Sequence, residues 1–394
     1  MRTEEYPLVS VLIPTYNRAI YLDECLYSLA VQDYPNYEVL IRDNDSTDDT
    51  AAVVKKNEPQ FAHIVEFRYK KNETNVGFRD NFIHGVAECK GKYTIILMDD
   101  DFLCSPTAIS SFAKALEATA KTSLVVAPTE HYRQGRMDLS PKQIVDGGSR
   151  RTSCSQFSTI SGEEYFLNSW TKYGPLCFSS SMFNTQLALQ SPWATWTRKA
   201  SLDINLYHAI SLNQNVAIIK EPLAFYRVHG AQDFHTAPLE DKLDGHTRID
   251  LWYAFAKQHA HSSRLSLFVW LLKTLMLREE GVIRDLADRD PWFLEQFLRW
   301  LKGYDYLHYL VLRYLSPQMR KYDYREAART KRGLSRARCE MSIWLRRRIA
   351  SLVLYLDRAM HDSQASSLDN SCSHTQDRNA GQLALPSQEG SSGR

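Results

Sequence analysis

No C-x-x-C pair occurs among the seven cysteines, which stand at 25, 89, 104, 154, 177, 339 and 372. A zinc site or a thioredoxin-like centre is therefore not expected, and the thiols are read as reduced, as in a cytosolic setting. No run of 18 apolar residues is present, and the nearest stretch, 265–277, carries Lys273. That stretch reads as a buried or amphipathic helix rather than a membrane span, so the chain is expected to be soluble or peripheral. Residues 1–7 lack the apolar centre of a secretory signal. An excess of one charge is missing too: 48 basic residues face 46 acidic ones, for a net charge of +2. That balance excludes a strongly basic nucleic-acid binder and an acidic disordered chain. No Gly-x-Gly-x-x-Gly follows the first apolar run, which disfavours a dinucleotide-dependent dehydrogenase.

What is present is a chain of 394 residues, long enough for two domains or for one large domain with an appendage. Its first 130 residues alternate short apolar runs with helical patterns. Strands are predicted at 9–13, 37–42, 64–69, 93–98 and 123–127. Helices are predicted over 18–31, from a capping box at Ser46-Thr47-Asp48-Asp49, over 81–89, and from Ser105-Pro106 with Ser as the cap. This rhythm predicts an α/β fold with an open, mostly parallel sheet covered on both faces. In such sheets the ligand lies beyond the carboxyl ends of the strands. Polar clusters fall at those ends: Thr15-Tyr16-Asn17, Asp43-Asn44-Asp45 and Asp99-Asp100-Asp101.

Beyond residue 130 the pattern changes. A loop is expected over 135–160, mixed helices and strands over 161–235, and a helical region rich in tryptophan over 240–315. The stretch 320–348 holds eleven basic and three acidic residues. With the apolar segment after it, this stretch suits a helix on anionic lipid as well as it suits a solvated face of the domain. A nucleic-acid surface is disfavoured, because aromatics do not alternate with the arginines. Residues 361–394 are rich in Ser, Gln, Asn and Gly and are expected to be disordered.

Three successive aspartates after an apolar strand repel one another and call for a cation or a set of donors. Hard oxygen ligands at a strand end suit Mg²⁺ or Mn²⁺, which can hold a diphosphate in turn. The bland alternative is a solvated turn with a helix cap at Ser105. Asp43 at a second strand end can accept from a base N–H or a ribose hydroxyl, or simply close an Asx turn.

Taken together, these segments resemble the family 2 glycosyltransferases of the GT-A fold, of bacterial surface-polysaccharide type. The resemblance is carried by Val9-Ser10-Val11-Leu12-Ile13-Pro14-Thr15-Tyr16-Asn17-Arg18, by Tyr37 to Asp48, and by Asn75-Val76-Gly77 with Asn81. Gly91-Lys92-Tyr93, the Asp99-Asp100-Asp101 triplet, Leu202-Asp203-Ile204-Asn205-Leu206 and Glu221 to Gly230 complete it. It implies a Rossmann-like GT-A catalytic domain over 1–235, a C-terminal helical region over 236–360 and a tail over 361–394. It implies that Pro14, Thr15, Tyr16, Asn17, Asp43, Asn75, Arg79, Asp99 and Asp100 bind the nucleotide sugar. Asp101, Asp99 and His229 would hold Mn²⁺ or Mg²⁺, and Asp203 would act as catalytic base, although Leu202 stands where the family has Glu. The implied reaction is inverting transfer from a UDP-, dTDP- or GDP-sugar to a hydroxyl of a glycan or lipid-linked acceptor. The implied place is the cytoplasm, peripherally on the inner face of the plasma membrane, with no nucleic-acid partner. The alternative reading is a non-catalytic nucleotide-sugar-binding scaffold for glycan assembly.

Overall fold

The computed structural model describes residues 6–133, 139–147, 156–169, 173, 177–196, 202–229, 249–263, 266, 267 and 270. Nearly all lie in a compact unit, Met1–Ser262. The expectations for 265–315, for the basic stretch 320–360 and for the 361–394 tail fall almost wholly outside the described residues.

The chain runs β1 (Val9–Thr15), α1 (Ala19–Ala30), β2 (Tyr37–Asp43), α2 (Thr50–Asn57), β3 (Glu66–Lys71), α3 (Phe78–Glu88) and β4 (Tyr93–Ile96). It continues through β5 (Phe102–Leu103), α4 (Ala108–Glu117), β6 (Thr122–Val126), β7 (Thr129–Tyr132), α5 (Pro141–Gly147), β8 (Phe157–Ser161) and α6 (Gly162–Asn168). Next come β9 (Ser181–Asn184), α7 (Thr185–Gln190), α8 (Trp193–Trp196), α9 (Leu202–Ser211), β10 (Asn215–Ile219), β11 (Ala224–Arg227) and α10 (Ile249–His259). Eight strands form one sheet in the order β3-β2-β1-β4-β9-β6-β10-β8, and β5-β11-β7 form a second. β1 is parallel to β2 and β4, β2 to β3, and β10 to β6, so the large sheet is mostly parallel, as expected.

Every residue of β1 and β2 is buried, which explains their unbroken apolar runs. Side chains alternate between two cores. Val9, Val11 and Ile13 face one core with Leu22 and Leu26 of α1, while Leu12 faces the other with Phe82 and Val86 of α3 and Leu206 of α9. Pro14 is tolerated in β1 because pairing with β4 has already ended at Leu12↔Ile96. The β1–β2 register continues to Thr15↔Asp43, so these two strand ends lie side by side. The order β2-β1-β4 makes the space beyond β1 a topological switch point.

Three local expectations are corrected. The Ser46 side chain does not cap α2: its Oγ accepts from the Asn17 N–H, and Asp48 Oδ1 accepts from the N–H of Thr50. α4 begins at Ala108, with Ser105 Oγ accepting from the Thr107 N–H at 3.3 Å, outside the helix. The span 135–160, expected as loop, contains α5 and most of β8. Further on, the Trp252 indole of α10 donates to Asn205 Oδ1 at 2.7 Å, which ties α10 to α9 within the unit.

Candidate active site

Three strand ends and two later segments build the site. Thr15 ends β1, and its hydroxyl is buried with no hydrogen-bond partner among the described residues. Asp43 ends β2 and is fully buried. Its Oδ1 accepts from the Ser46 N–H at 2.8 Å, and its Oδ2 accepts from the Tyr69 hydroxyl of β3. Burial, and then this bond to a carboxylate, push the Tyr69 phenol well above its ordinary range. Asn17, at φ +53°, bridges back to the β2 loop through its N–H and its amide oxygen. Tyr16 beside it stays 45% exposed.

The loop before α3 is fixed from β2. Asn44 donates to Asn75 Oδ1 at 2.8 Å and accepts from the Val76 N–H at 2.9 Å. Asn75 Oδ1 also accepts from the Gly77 N–H, so Asn75 is held while remaining exposed. Arg79, expected at the nucleotide, pairs with Asp80 and donates to the Ala194 carbonyl of α8 at 2.6 Å. These bonds turn part of its fork toward α8.

The aspartate triplet divides into unlike residues. Asp99 is buried beyond the end of β4. Asp100 Oδ2 lies 2.9 Å from His229 Nε2, just after β11. Asp101, expected at the metal, is fully buried with both oxygens engaged. Its Oδ1 accepts from the Arg227 N–H at 2.9 Å and its Oδ2 from the Ser179 hydroxyl at 2.6 Å. Burial, and then the neighbouring Asp100, push its carboxyl well above the usual carboxylate range. Both Asp101 oxygens are thus taken by protein donors, and the carboxylate beside His229 is that of Asp100. Among the described residues no three His, Cys, Asp or Glu side chains converge as a closed metal cage.

Asp203 lies in the first turn of α9 and is half-buried, with Oδ1 accepting from the Ile204 N–H at 2.8 Å. One segment connects α9 to the aspartate turn. Tyr207 of α9 shares a hydrogen bond with Ser181 Oγ at 2.6 Å and donates to the Cys177 carbonyl at 3.3 Å. Ser179, between those two, is the residue that donates to Asp101. Sequence reasoning gave Ser179, Tyr69, Asn44 and Arg227 none of these contacts, because their partners are distant in the chain. Asn44, inside the Asp43-Asn44-Asp45 cluster, and Arg227, inside the Glu221 to Gly230 segment, carried a visible signal.

The family model described as glycosyl transferase family 2 matches residues 10–184, a span that covers the strand ends just described. Residues 10–184 are thus similar to the family 2 glycosyltransferases. A β-1,3-glucosyltransferase of Campylobacter jejuni, named for GalNAc(5)-diNAcBac-PP-undecaprenol, is 31% identical over 117 residues, 29% of this chain and 36% of that protein. The abequosyltransferase of Salmonella typhimurium is 39% identical over 100 residues, 24% of this chain and 29% of that protein. Each match thus spans about a third of the relative's length. In fold, the chain is similar to S. aureus TarS, solved with UDP-GlcNAc, at TM-score 0.56 and 16% identity over 80% of this chain and 83% of that one. The fold is that of the GT-A glycosyltransferases.

Proposed function

We propose that this chain transfers a sugar from a nucleoside-diphosphate donor to a hydroxyl of a glycan or lipid-linked acceptor, with inversion at the anomeric carbon. The observation that carries the proposal is the approach of Asp100 to His229 at the strand ends. These two residues offer one carboxylate oxygen and one imidazole nitrogen. That donor set suits Mn²⁺ or Mg²⁺, which commonly keep water and substrate phosphate as their remaining ligands. A bound divalent ion would supply Lewis-acid stabilisation of the departing diphosphate.

The protein's own residues account for the rest. The buried, unpartnered Thr15 hydroxyl and the adjacent Asp43 carboxylate face the position of a nucleoside at the switch point. Asp43 accepts from two protein donors already, and a carboxylate has lone pairs left for a base N–H. Asn75, in the loop before α3, and Asp99, beyond the end of β4, would contact the ribose and phosphates. Asp203 removes the acceptor proton as the acceptor oxygen attacks C1, and the C1–O bond breaks with its electron pair leaving on the diphosphate. One displacement inverts the centre, and no second carboxylate nucleophile is needed. The name of the Campylobacter relative, which gives a GalNAc-bearing PP-undecaprenol, supports a lipid-linked glycan as acceptor.

A thermal-shift comparison of UDP-, dTDP-, GDP- and CDP-sugars with and without Mn²⁺ tests the site. One donor class should raise the melting temperature by several degrees, and only with the metal present. Asp100→Asn should remove most of the metal-dependent part. A shift that ignores both the metal and Asp100 contradicts the proposal.

A further inference from the structure

Arg227 is the last residue of β11, and its side chain is only 2% exposed. We infer that Arg227 is a positioning residue that holds Asp100 against His229, and that Glu24 of α1 keeps it in place. Its role presupposes that Asp100 and His229 are the metal pair proposed above.

Arg227 makes polar contacts with the aspartate turn and with α1. Its backbone N–H donates to Asp101 Oδ1 at 2.9 Å. Its Nε–H donates to the carbonyl oxygen of Asp100 at 2.7 Å, and a terminal N–H donates to Glu24 Oε2 at 2.6 Å. Three rings surround the guanidinium: its carbon lies 5.0 Å from the centre of Tyr21, 5.6 Å from Phe102 and 5.1 Å from Tyr132. Tyr21 also packs on the imidazole of His229, with ring centres 4.6 Å apart and planes tilted by 34°. One buried cation therefore touches the backbone of Asp100 directly and the ring of His229 through Tyr21. It also bridges two parts of the chain, the turn after β4 and the end of β11, that must stay in register for the pair to form.

The planar fork is what allows this. Arginine meets the Asp100 carbonyl and the Glu24 carboxylate from different nitrogens at fixed spacing. Lysine keeps the charge, the ring contacts and room for the Glu24 pair, but presents a single nitrogen. Arg227→Lys therefore separates positioning from mere charge balance.

The test is uptake of Mn²⁺ by the full chain, read from the EPR signal of free Mn²⁺. The nucleotide added is UDP or GDP, whichever raises the wild-type melting temperature more. Wild type should bind one Mn²⁺ per chain. Arg227→Lys should weaken that binding about tenfold, and Glu24→Gln about threefold, with melting temperatures within a few degrees of wild type. Wild-type affinity in Arg227→Lys, alongside lost binding in Asp100→Asn, overturns the positioning role and leaves the site proposal intact. Equal binding by wild type and Asp100→Asn overturns the site proposal, and the positioning role with it. If Arg227→Lys proves too unstable to titrate, Glu24→Gln decides, and an unchanged affinity there overturns the inference.

Discussion

Asp203→Asn lowers turnover of the donor by about a thousandfold and leaves donor binding intact. General-base catalysis contributes on the order of 10² to 10⁴ in rate, and asparagine cannot take the acceptor proton. The substitution is mild for the fold. An asparagine Oδ1 can still accept from the Ile204 N–H, the bond that Asp203 makes at the start of α9. Burial first, and Asp203 second, push the Tyr165 and Tyr207 phenols upward, so both stay neutral near pH 7 whether or not position 203 is charged. Stability near neutral pH should therefore hold. Parallel measurement of kcat and of the donor-induced melting shift separates the two effects. Turnover within threefold of wild type removes Asp203 from the role of base. Binding without turnover in the wild-type chain, across a broad acceptor panel, favours the scaffold reading.

Gly162→Ala destabilises the domain by more than about 3 kcal/mol, at or beyond the upper end of ordinary overpacking. Gly162 opens α6 against the end of α9. An added Cβ overlaps the carbonyl carbon and oxygen of Ser211 and comes within 2.8 Å of the Gln214 oxygen. These are backbone atoms, so no rotamer change relieves the clash. The Gly162 N–H already donates to that same Gln214 oxygen at 2.7 Å, which fixes the approach. The two helices must part, and α9 carries Asp203, so activity falls together with stability. For a domain of this size, the expected drop in melting temperature is roughly 6–12 °C. A thermal melt within 2 °C of wild type contradicts the packing argument.

The two predictions depend on features of unequal visibility. β1 and β2 were legible because both faces are covered, so their sequences read as plain apolar runs ending in polar residues. The switch point was legible because three such runs end in acidic or amide side chains. The division of labour within Asp99-Asp100-Asp101 was not. It is set by Ser179 and Arg227, 78 and 126 residues further along, which take both oxygens of Asp101 and turn it inward. Adjacent residues of one type give no local signal of which faces the ligand. The same holds for Ser46, whose capping-box pattern is overridden by the N–H of Asn17. α5 escaped notice because a single helix turn or two, amid Gly, Ser and Gln, buries only Pro141 and Val145. The proximity of α6 to α9 leaves one trace in the sequence, a glycine, and nothing there says what approaches it.

A crystal of the chain grown with Mn²⁺ and the donor nucleotide, with diffraction recorded at the manganese edge, examines the metal pair directly. The anomalous peak should touch both the Asp100 carboxylate and the His229 imidazole, with Asp101 still bonded to Ser179 and Arg227. A peak coordinated by Asp101, or a bound nucleotide whose metal touches neither Asp100 nor His229, contradicts it.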